Sequence, residues 1–155
     1  MTMSTFKGDS AETSILIVED DVATQRLLEV QLLDAGCTSV AVYSAAQAAK
    51  LLSRGRQFDM ILLDVDLPGC NGIALLRWLH SQHSQMPVVM MTAAPDVIDE
   101  IVCIDLGACG YLSKPFSREE LLRVVFHATE GGRTFYDSGR ESSEMRRSPV
   151  QYLVS

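Results

Sequence analysis

The 155-residue sequence lacks three features, and each absence argues against a class of protein. No apolar run approaches the roughly 18 residues that a membrane-spanning helix needs, so no membrane segment is expected. There is also no cluster of basic residues: 13 lysines and arginines stand against 20 aspartates and glutamates, for a net charge of −7. Because nucleic-acid binding depends on clustered basic side chains that contact phosphates, we expect none from this chain.

Paired cysteine motifs are missing as well, since the 4 cysteines form no C-x-x-C pair and show no zinc-ligand spacing. We interpret them as buried, unreactive thiols in a reducing compartment. The first 14 residues are polar and lack the apolar core of a secretory signal peptide. These features predict a cytoplasmic protein, and 155 residues suit a single domain.

What the sequence does contain is a regular alternation of short apolar runs and longer amphipathic segments. Five runs are predicted to be strands: 15–18, 39–43, 60–63, 88–91 and 110–112. This alternation predicts an α/β fold, with a doubly wound parallel sheet between helices. The right-handed crossover rule leaves few topologies, and the flavodoxin-like (βα)5 arrangement with strand order 2-1-3-4-5 fits best.

The first predicted helix follows the strand at 15–18 and ends near Gly36, a favourable C-cap residue. Apolar residues recur along it at roughly helical spacing: Ala23, Leu27, Val30 and Leu33. We expect this face of the helix to pack on the sheet.

Both ends of the chain differ in character from the segment between them. Residues 1–13 are predicted to be a flexible leader and residues 14–131 the folded domain. Residues 132–155 show no periodicity, which predicts a flexible C-terminal tail. About twenty residues are too few for the three helices of a DNA-binding output domain, so none is expected.

Acidic and phosphate-seeking side chains follow four of the predicted strands: Asp20 with Asp21, then Asp64, Thr92 and Lys114. The carboxyl ends of parallel strands lie at one edge of a sheet, where open α/β folds bind ligands. The predicted order puts the first and third strands side by side, so the three carboxylates should converge. Such a group at one edge indicates a site for a divalent cation and a phosphoryl group.

The residue types suggest a role for each acidic group. Mg²⁺ prefers oxygen ligands and usually takes one or two carboxylates, several waters and a phosphate oxygen. We expect direct ligands from Asp21 and Asp64, a water-mediated contact from Asp20, and the backbone carbonyl of Asp66. Asp64 is also the candidate nucleophile, because a carboxylate can attack phosphorus.

Thr92 and Lys114 would hold the phosphoryl oxygens, the first as a hydroxyl donor and the second as a point charge. Each residue alone has an ordinary structural alternative. Asp20 and Asp21 could cap a helix, Thr92 could be a satisfied strand-end hydroxyl, and Lys114 a solvated lysine. Their occurrence together at matching strand ends favours the phosphoryl site.

This combination resembles the receiver domain of bacterial response regulators, over about residues 14–131. The matching segments are Glu19-Asp20-Asp21, Asp64 in D-V-D-L-P-G-C-N-G, Thr92 in M-T-A-A, and Lys114-Pro115 after Gly110-Tyr111. The resemblance implies that Asp64 accepts a phosphoryl group from a sensor histidine kinase or a histidine phosphotransfer protein, with Mg²⁺ on Asp20, Asp21 and Asp64. It implies a signalling domain, whose catalysis is limited to its own phosphorylation and dephosphorylation.

The same resemblance implies how the phosphoryl group is sensed. Thr92 would shift toward it and Tyr111 would rotate inward, changing the face formed by the fourth helix, fifth strand and fifth helix. That face would bind a downstream protein target, or a second copy of the domain in a homodimer. The peptide bond before Pro115 should be cis. Asp66 would add a negative charge beside the site, and the small side chain of Ala94 would leave the site open to water. We therefore expect a phosphorylated state that is not exceptionally long-lived.

Three other functions share part of this pattern. A haloacid-dehalogenase-like phosphatase also begins with D-x-D, but its acidic pair follows the nucleophile, whereas here Asp20 and Asp21 precede it. A flavin carrier with the same topology would not place acidic residues where the flavin phosphate binds. A phosphorylation-independent adaptor with the receiver fold is the main alternative, and the presence of all the site residues ranks it below the phosphorylated receiver.

Overall fold

A computed structural model of the chain describes residues 12–130 and 136–137. Its strands are β1 (Thr13–Val18), β2 (Cys37–Val42), β3 (Met60–Asp64), β4 (Val88–Thr92), β5 (Gly110–Ser113) and β6 (Tyr136–Asp137). Its helices are α1 (Val22–Asp34), α2 (Ala45–Ser53), α3 (Gly72–Ser81), α4 (Val97–Asp105) and α5 (Arg118–Thr129). No helix in this part of the chain is long and apolar enough to cross a membrane.

The strands form one parallel sheet in the order β2-β1-β3-β4-β5-β6. The first five have the predicted flavodoxin-like order, which is therefore confirmed. β6 is an addition that the sequence does not predict: it pairs with β5 from within the segment expected to be a flexible tail. A strand of 2 residues is too short to show periodicity. The predicted leader through residue 11 and the rest of the predicted tail lie outside the described residues.

The central strands are covered on both faces, which is why their sequences are continuously apolar. Successive side chains point to opposite faces. Leu16 and Ile61 pack with α2, α3 and α4, whereas Ile17 and Leu62 pack with α1 and α5. All residues of β3 and β4 are buried, including the polar residue that ends each strand. The sheet therefore delivers Asp64 and Thr92 to its carboxyl edge on strands held from both sides.

α1 packs on the sheet with the opposite face from the one predicted. Leu28 and Leu32 are buried, together with Gln25. Leu27 and Leu33, which were expected to face the core, are 49% and 70% exposed. The prediction was wrong because α1 has two apolar stripes of similar helical spacing, and spacing alone does not choose between them.

The cysteines follow the prediction at three of their four positions. Cys37, Cys103 and Cys109 are buried, and burial raises the pKa of these thiols to about 11, about 12 and about 11, respectively. Cys70 is exposed in the loop before α3, so the expectation of burial was wrong there. That loop lies where the chain leaves the sheet, and little packs over its tip.

The burial of α1 predicts opposite outcomes for two neighbouring leucines. Leu28→Ala should lower the free energy of unfolding by about 2–5 kcal/mol, since it leaves a cavity in the core. Leu27→Ala, the matched control, should change it by no more than about 0.5 kcal/mol because its side chain is half exposed. Chemical denaturation of both variants measures the difference. A larger loss for Leu27→Ala would show that α1 is rotated from the orientation described here.

Candidate functional site

Three carboxylates meet at the carboxyl edge of the sheet. Oxygen atoms of Glu19, Asp20 and Asp64 lie within 4.8 Å of one another. Glu19 follows β1, and Asp64 is the last residue of β3, which pairs directly with β1. Glu19 and Asp64 are buried, with 1% and 3% of their surface exposed, whereas Asp20 faces solvent. Carboxylates at this spacing repel one another unless cations lie among them.

Lys114 supplies the positive charge in this group. Its Nζ donates to Oε1 of Glu19 in a close contact, and to Oδ2 of Asp64 at 3.2 Å. Burial lowers the pKa of Lys114, but the contacts with Glu19 and Asp64 outweigh burial and leave the pKa above its ordinary value. Lys114 is therefore a permanent cation at neutral pH. It was predicted to hold a phosphoryl oxygen, and in this structure it joins two of the carboxylates.

Glu19 is held in an environment that opposes its ionisation. Burial raises the pKa of Glu19, the contact with Lys114 lowers it, and the neighbouring Asp64 raises it, with a net upward shift. Its Oε2 accepts a hydrogen bond from the backbone N–H of Asp21 at 3.1 Å. The carboxylate of Glu19 thus points into the cluster, and not to solvent.

Asp21 is not part of this cluster. Its side chain caps α1: Oδ2 accepts from the backbone N–H of Thr24 at 2.9 Å and from the Thr24 hydroxyl at 2.6 Å. These bonds, first that from the hydroxyl, lower the pKa of Asp21. The structure thus brings together Glu19 and Asp20 with Asp64, one residue earlier than the predicted pair Asp20 and Asp21.

The loop after β3 and the start of α3 hold both the side chain and the backbone of Asp64. The backbone N–H of Asp66 donates to Oδ1 of Asp64 at 3.0 Å. Gly72, at the start of α3, donates to the carbonyl of Val65 at 2.8 Å. A Cβ atom at Gly72 would lie 2.0 Å from the carbonyl oxygen of Asp64, so only glycine allows this approach. The first turn of α3 therefore packs directly against the backbone that carries Asp64.

Thr92 ends β4, beside Asp64. In the pairing of β3 with β4, Asp64 lies opposite Met91, so Thr92 extends one residue further along the edge. The Thr92 hydroxyl accepts from the backbone N–H of Ala94 at 3.1 Å. Its carbonyl accepts from the backbone N–H of Lys114 at 2.7 Å. β4 and the loop after β5 are thus joined at the site.

The two features expected near the end of β5 have clear positions. Tyr111 is buried, with its ring in the core on the side of α2, α3 and α4. Tyr111 thus already has the inward position that the resemblance implies for the phosphorylated domain. The peptide bond between Lys114 and Pro115 is cis, which confirms the expectation.

Chemically, the cluster suits a divalent cation and a phosphoryl group. Three carboxylates and one ammonium group leave an excess of negative charge when all are ionised. Hard, oxygen-rich sites of this kind are those that Mg²⁺ prefers. The carbonyl of Asp66 belongs to the exposed loop that begins directly after the cluster.

The sequence does not predict a role at the site for Glu19 or Gln25, and it predicts Asp21 to be a direct ligand. Glu19 directly follows the last residue of a buried strand, and this position is the signal that could have identified it as a residue of the site. The Asp21-x-x-Thr24 spacing is the signal that could have assigned Asp21 to helix capping. Gln25 cannot be identified in this way, because a polar residue within a helix gives no sequence signal of burial.

Residues 15–126 of the chain match the model of the response regulator receiver domain family. The transcriptional regulatory protein GltR of Pseudomonas aeruginosa is 40% identical over 114 residues, which cover 72% of this chain and 47% of GltR. The receiver domain of the sensor histidine kinase PA1611 from Pseudomonas aeruginosa PAO1 was solved with a magnesium ion in its active-site cleft. It is 30% identical, with a TM-score of 0.70 and coverage of 78% of this chain and 100% of that one.

A CheY-like receiver domain protein from Methanospirillum hungatei JF-1 has the same fold. Its TM-score is 0.74 at 24% identity, and the match covers 79% of this chain and 97% of that one. The chain spans about half the length of the curated relatives it matches.

The close approach of Gly72 to Asp64 predicts a strong effect of adding one methyl group. Gly72→Ala should lower the free energy of unfolding by about 3 kcal/mol, because the new Cβ collides with backbone and not with a flexible side chain. Gly55→Asn is the control: Gly55 has open space around it, and its φ of +87° gives a backbone strain that is smaller for asparagine than for most residues, so a smaller loss of stability is expected. Denaturation curves that shift equally for the two variants would refute this account of the β3–α3 contact.

Proposed function

The chain belongs to the response regulator receiver domain family, and we propose that it is a phosphorylation-activated signalling switch with Asp64 as the phosphoacceptor. The observation that supports this most directly is the position of Asp64. Its carboxylate ends a fully buried strand and lies within 4.8 Å of two further acids. A cation, Lys114, contacts the same carboxylate at 3.2 Å.

The proposed reaction is a phosphoryl transfer from a phosphohistidine of a sensor histidine kinase or a histidine phosphotransfer protein. A carboxylate oxygen of Asp64 attacks phosphorus, and the phosphorus–nitrogen bond of the donor breaks. Its electron pair leaves with the imidazole nitrogen. Such a transfer needs mainly positioning and neutralisation of charge. Lys114 and Thr92 lie at the two neighbouring strand ends, from which they can contact the phosphoryl oxygens.

We propose Asp20 and Asp64 as the carboxylate ligands of Mg²⁺, with the backbone carbonyl of Asp66 as a further ligand and Glu19 as the third acid of the cluster. Bound Mg²⁺ would neutralise charge on the phosphoryl oxygens. The PA1611 receiver, at 30% identity, holds a magnesium ion in its active-site cleft, which supports Mg²⁺ as the metal. Asp21 is not proposed as a direct ligand, because its side chain accepts a hydrogen bond from the Thr24 hydroxyl.

The signal would leave the site through Thr92 and Tyr111, toward the face made by α4, β5 and α5. Lys114 and Thr92 are already joined by a backbone hydrogen bond of 2.7 Å, so a shift of either is transmitted to the other. Four large apolar side chains are exposed on α4 and α5: Val97, Ile98, Ile101 and Phe126. We propose this face as the surface for a downstream protein target in the cytoplasm, or for a second copy of the domain.

Phosphorylation is tested by intact mass measurement after incubation with acetyl phosphate and Mg²⁺. We expect one added phosphoryl group, absent in Asp64→Asn and absent when EDTA removes the metal. Asp66→Asn is the matched control, since it removes a neighbouring exposed carboxylate and leaves Asp64 in place. It should still be phosphorylated.

The time course of the same experiment separates the switch from the adaptor alternative. No adduct at any rapid-quench time point, in protein shown to bind Mg²⁺, would contradict the proposal and favour a phosphorylation-independent adaptor. Ala94 and Asp66 are both exposed beside the site, so water has access to the phosphorylated residue. We therefore expect the phosphorylated form to hydrolyse at neutral pH with a half-life shorter than many hours.

A further inference from the structure

We propose that Gln25 is a positioning residue for the acidic cluster, a role that rests on the proposed Mg²⁺ site. Gln25 lies in the first turns of α1 and is only 5% exposed. Its Nε2 donates to the carbonyl of Glu19 at 2.7 Å and to the carbonyl of Val42 at 3.1 Å. One buried side chain therefore joins the turn that bears the acids to the end of β2.

These hydrogen bonds extend the sheet beyond its last strand pair. The register of β1 with β2 ends at Val18 opposite Val42. After it, the Glu19 N–H still donates to the Val42 carbonyl at 3.1 Å, but the Glu19 carbonyl has turned toward α1. The Gln25 amide occupies the place where a neighbouring strand would bond, and so holds the turn without one.

The backbone at Glu19 determines where two of the acids point. With its N–H and its carbonyl both held, the Glu19 side chain is directed to Lys114, and the next residue, Asp20, reaches the cluster. Removing a group that orients a metal ligand without touching the metal commonly weakens metal affinity roughly 10- to 100-fold. Gln25 touches no acidic oxygen in its two bonds, so it would act only through the position of Glu19 and Asp20.

The test is Gln25→Met, which keeps the length of the side chain and removes the donor. Gln31→Met is the matched control on the same helix. The Oε1 atom of Gln31 is buried with no hydrogen-bond partner within the described residues. Replacing the Gln31 side-chain amide should therefore not loosen the turn that carries Glu19 and Asp20. Two quantities are measured: amide hydrogen exchange at Glu19 without metal, and the Kd for Mg²⁺ by calorimetry.

We expect Gln25→Met to speed exchange of the Glu19 amide about tenfold and to raise the Kd for Mg²⁺ about tenfold, with neither change in Gln31→Met. Unchanged exchange at Glu19 would overturn the inference. Faster exchange with an unchanged Kd would also overturn it, because Gln25 would then be structural only. Absence of Mg²⁺ binding to the unmodified chain would instead reject the proposed function. The exchange rate of the Glu19 amide would still test whether Gln25 holds the backbone of Glu19.

A measurement on the unmodified chain guards against a variant that does not fold. The side-chain amide signal of Gln25 in an NMR spectrum should shift on addition of Mg²⁺, because its acceptor is the carbonyl of Glu19. The Gln31 signal should not shift. A Gln25 signal that is insensitive to Mg²⁺ at saturation would contradict the proposed positioning.

Discussion

The structure depends on the placement of three carboxylates against one ammonium group at the carboxyl edge of the sheet. Glu19, Asp20 and Asp64 lie within 4.8 Å of one another, and Lys114 contacts two of them. Removing two acids from water and placing them side by side is unfavourable unless cations compensate. One lysine compensates in part, and the remaining negative charge is what makes the site suitable for a divalent cation.

The rest of the fold keeps these charges from moving apart. β3 is buried along its whole length, so Asp64 cannot retreat from the cluster without disrupting the core on both faces. Gly72 lets the first turn of α3 press against the Asp64 backbone, and Gln25 holds the turn that carries Glu19. Repulsion among the acids therefore persists as a local property of the site, and a bound cation would relieve it.

The sequence predicts the sheet well because continuous apolar runs alternating with helical segments allow few arrangements. It also predicts that Asp64, Thr92 and Lys114 lie at strand ends. It does not orient α1, because Leu27 and Leu28 belong to two stripes of similar spacing. Nor does it decide which of three consecutive acids face the site: Asp21 caps α1 and accepts two hydrogen bonds from Thr24. β6 and the burial of Gln25 depend on tertiary contacts that no local pattern reports.

The assignment of the acids is tested most directly by the affinity for Mg²⁺ of Glu19→Gln and Asp21→Asn, measured by calorimetry beside the unmodified chain. Each variant removes one negative charge, from acids that lie two residues apart, and asparagine still caps a helix. The structure predicts a Kd raised about tenfold for Glu19→Gln and changed less than about twofold for Asp21→Asn. A Kd raised by Asp21→Asn and unchanged by Glu19→Gln would contradict the cluster of Glu19, Asp20 and Asp64.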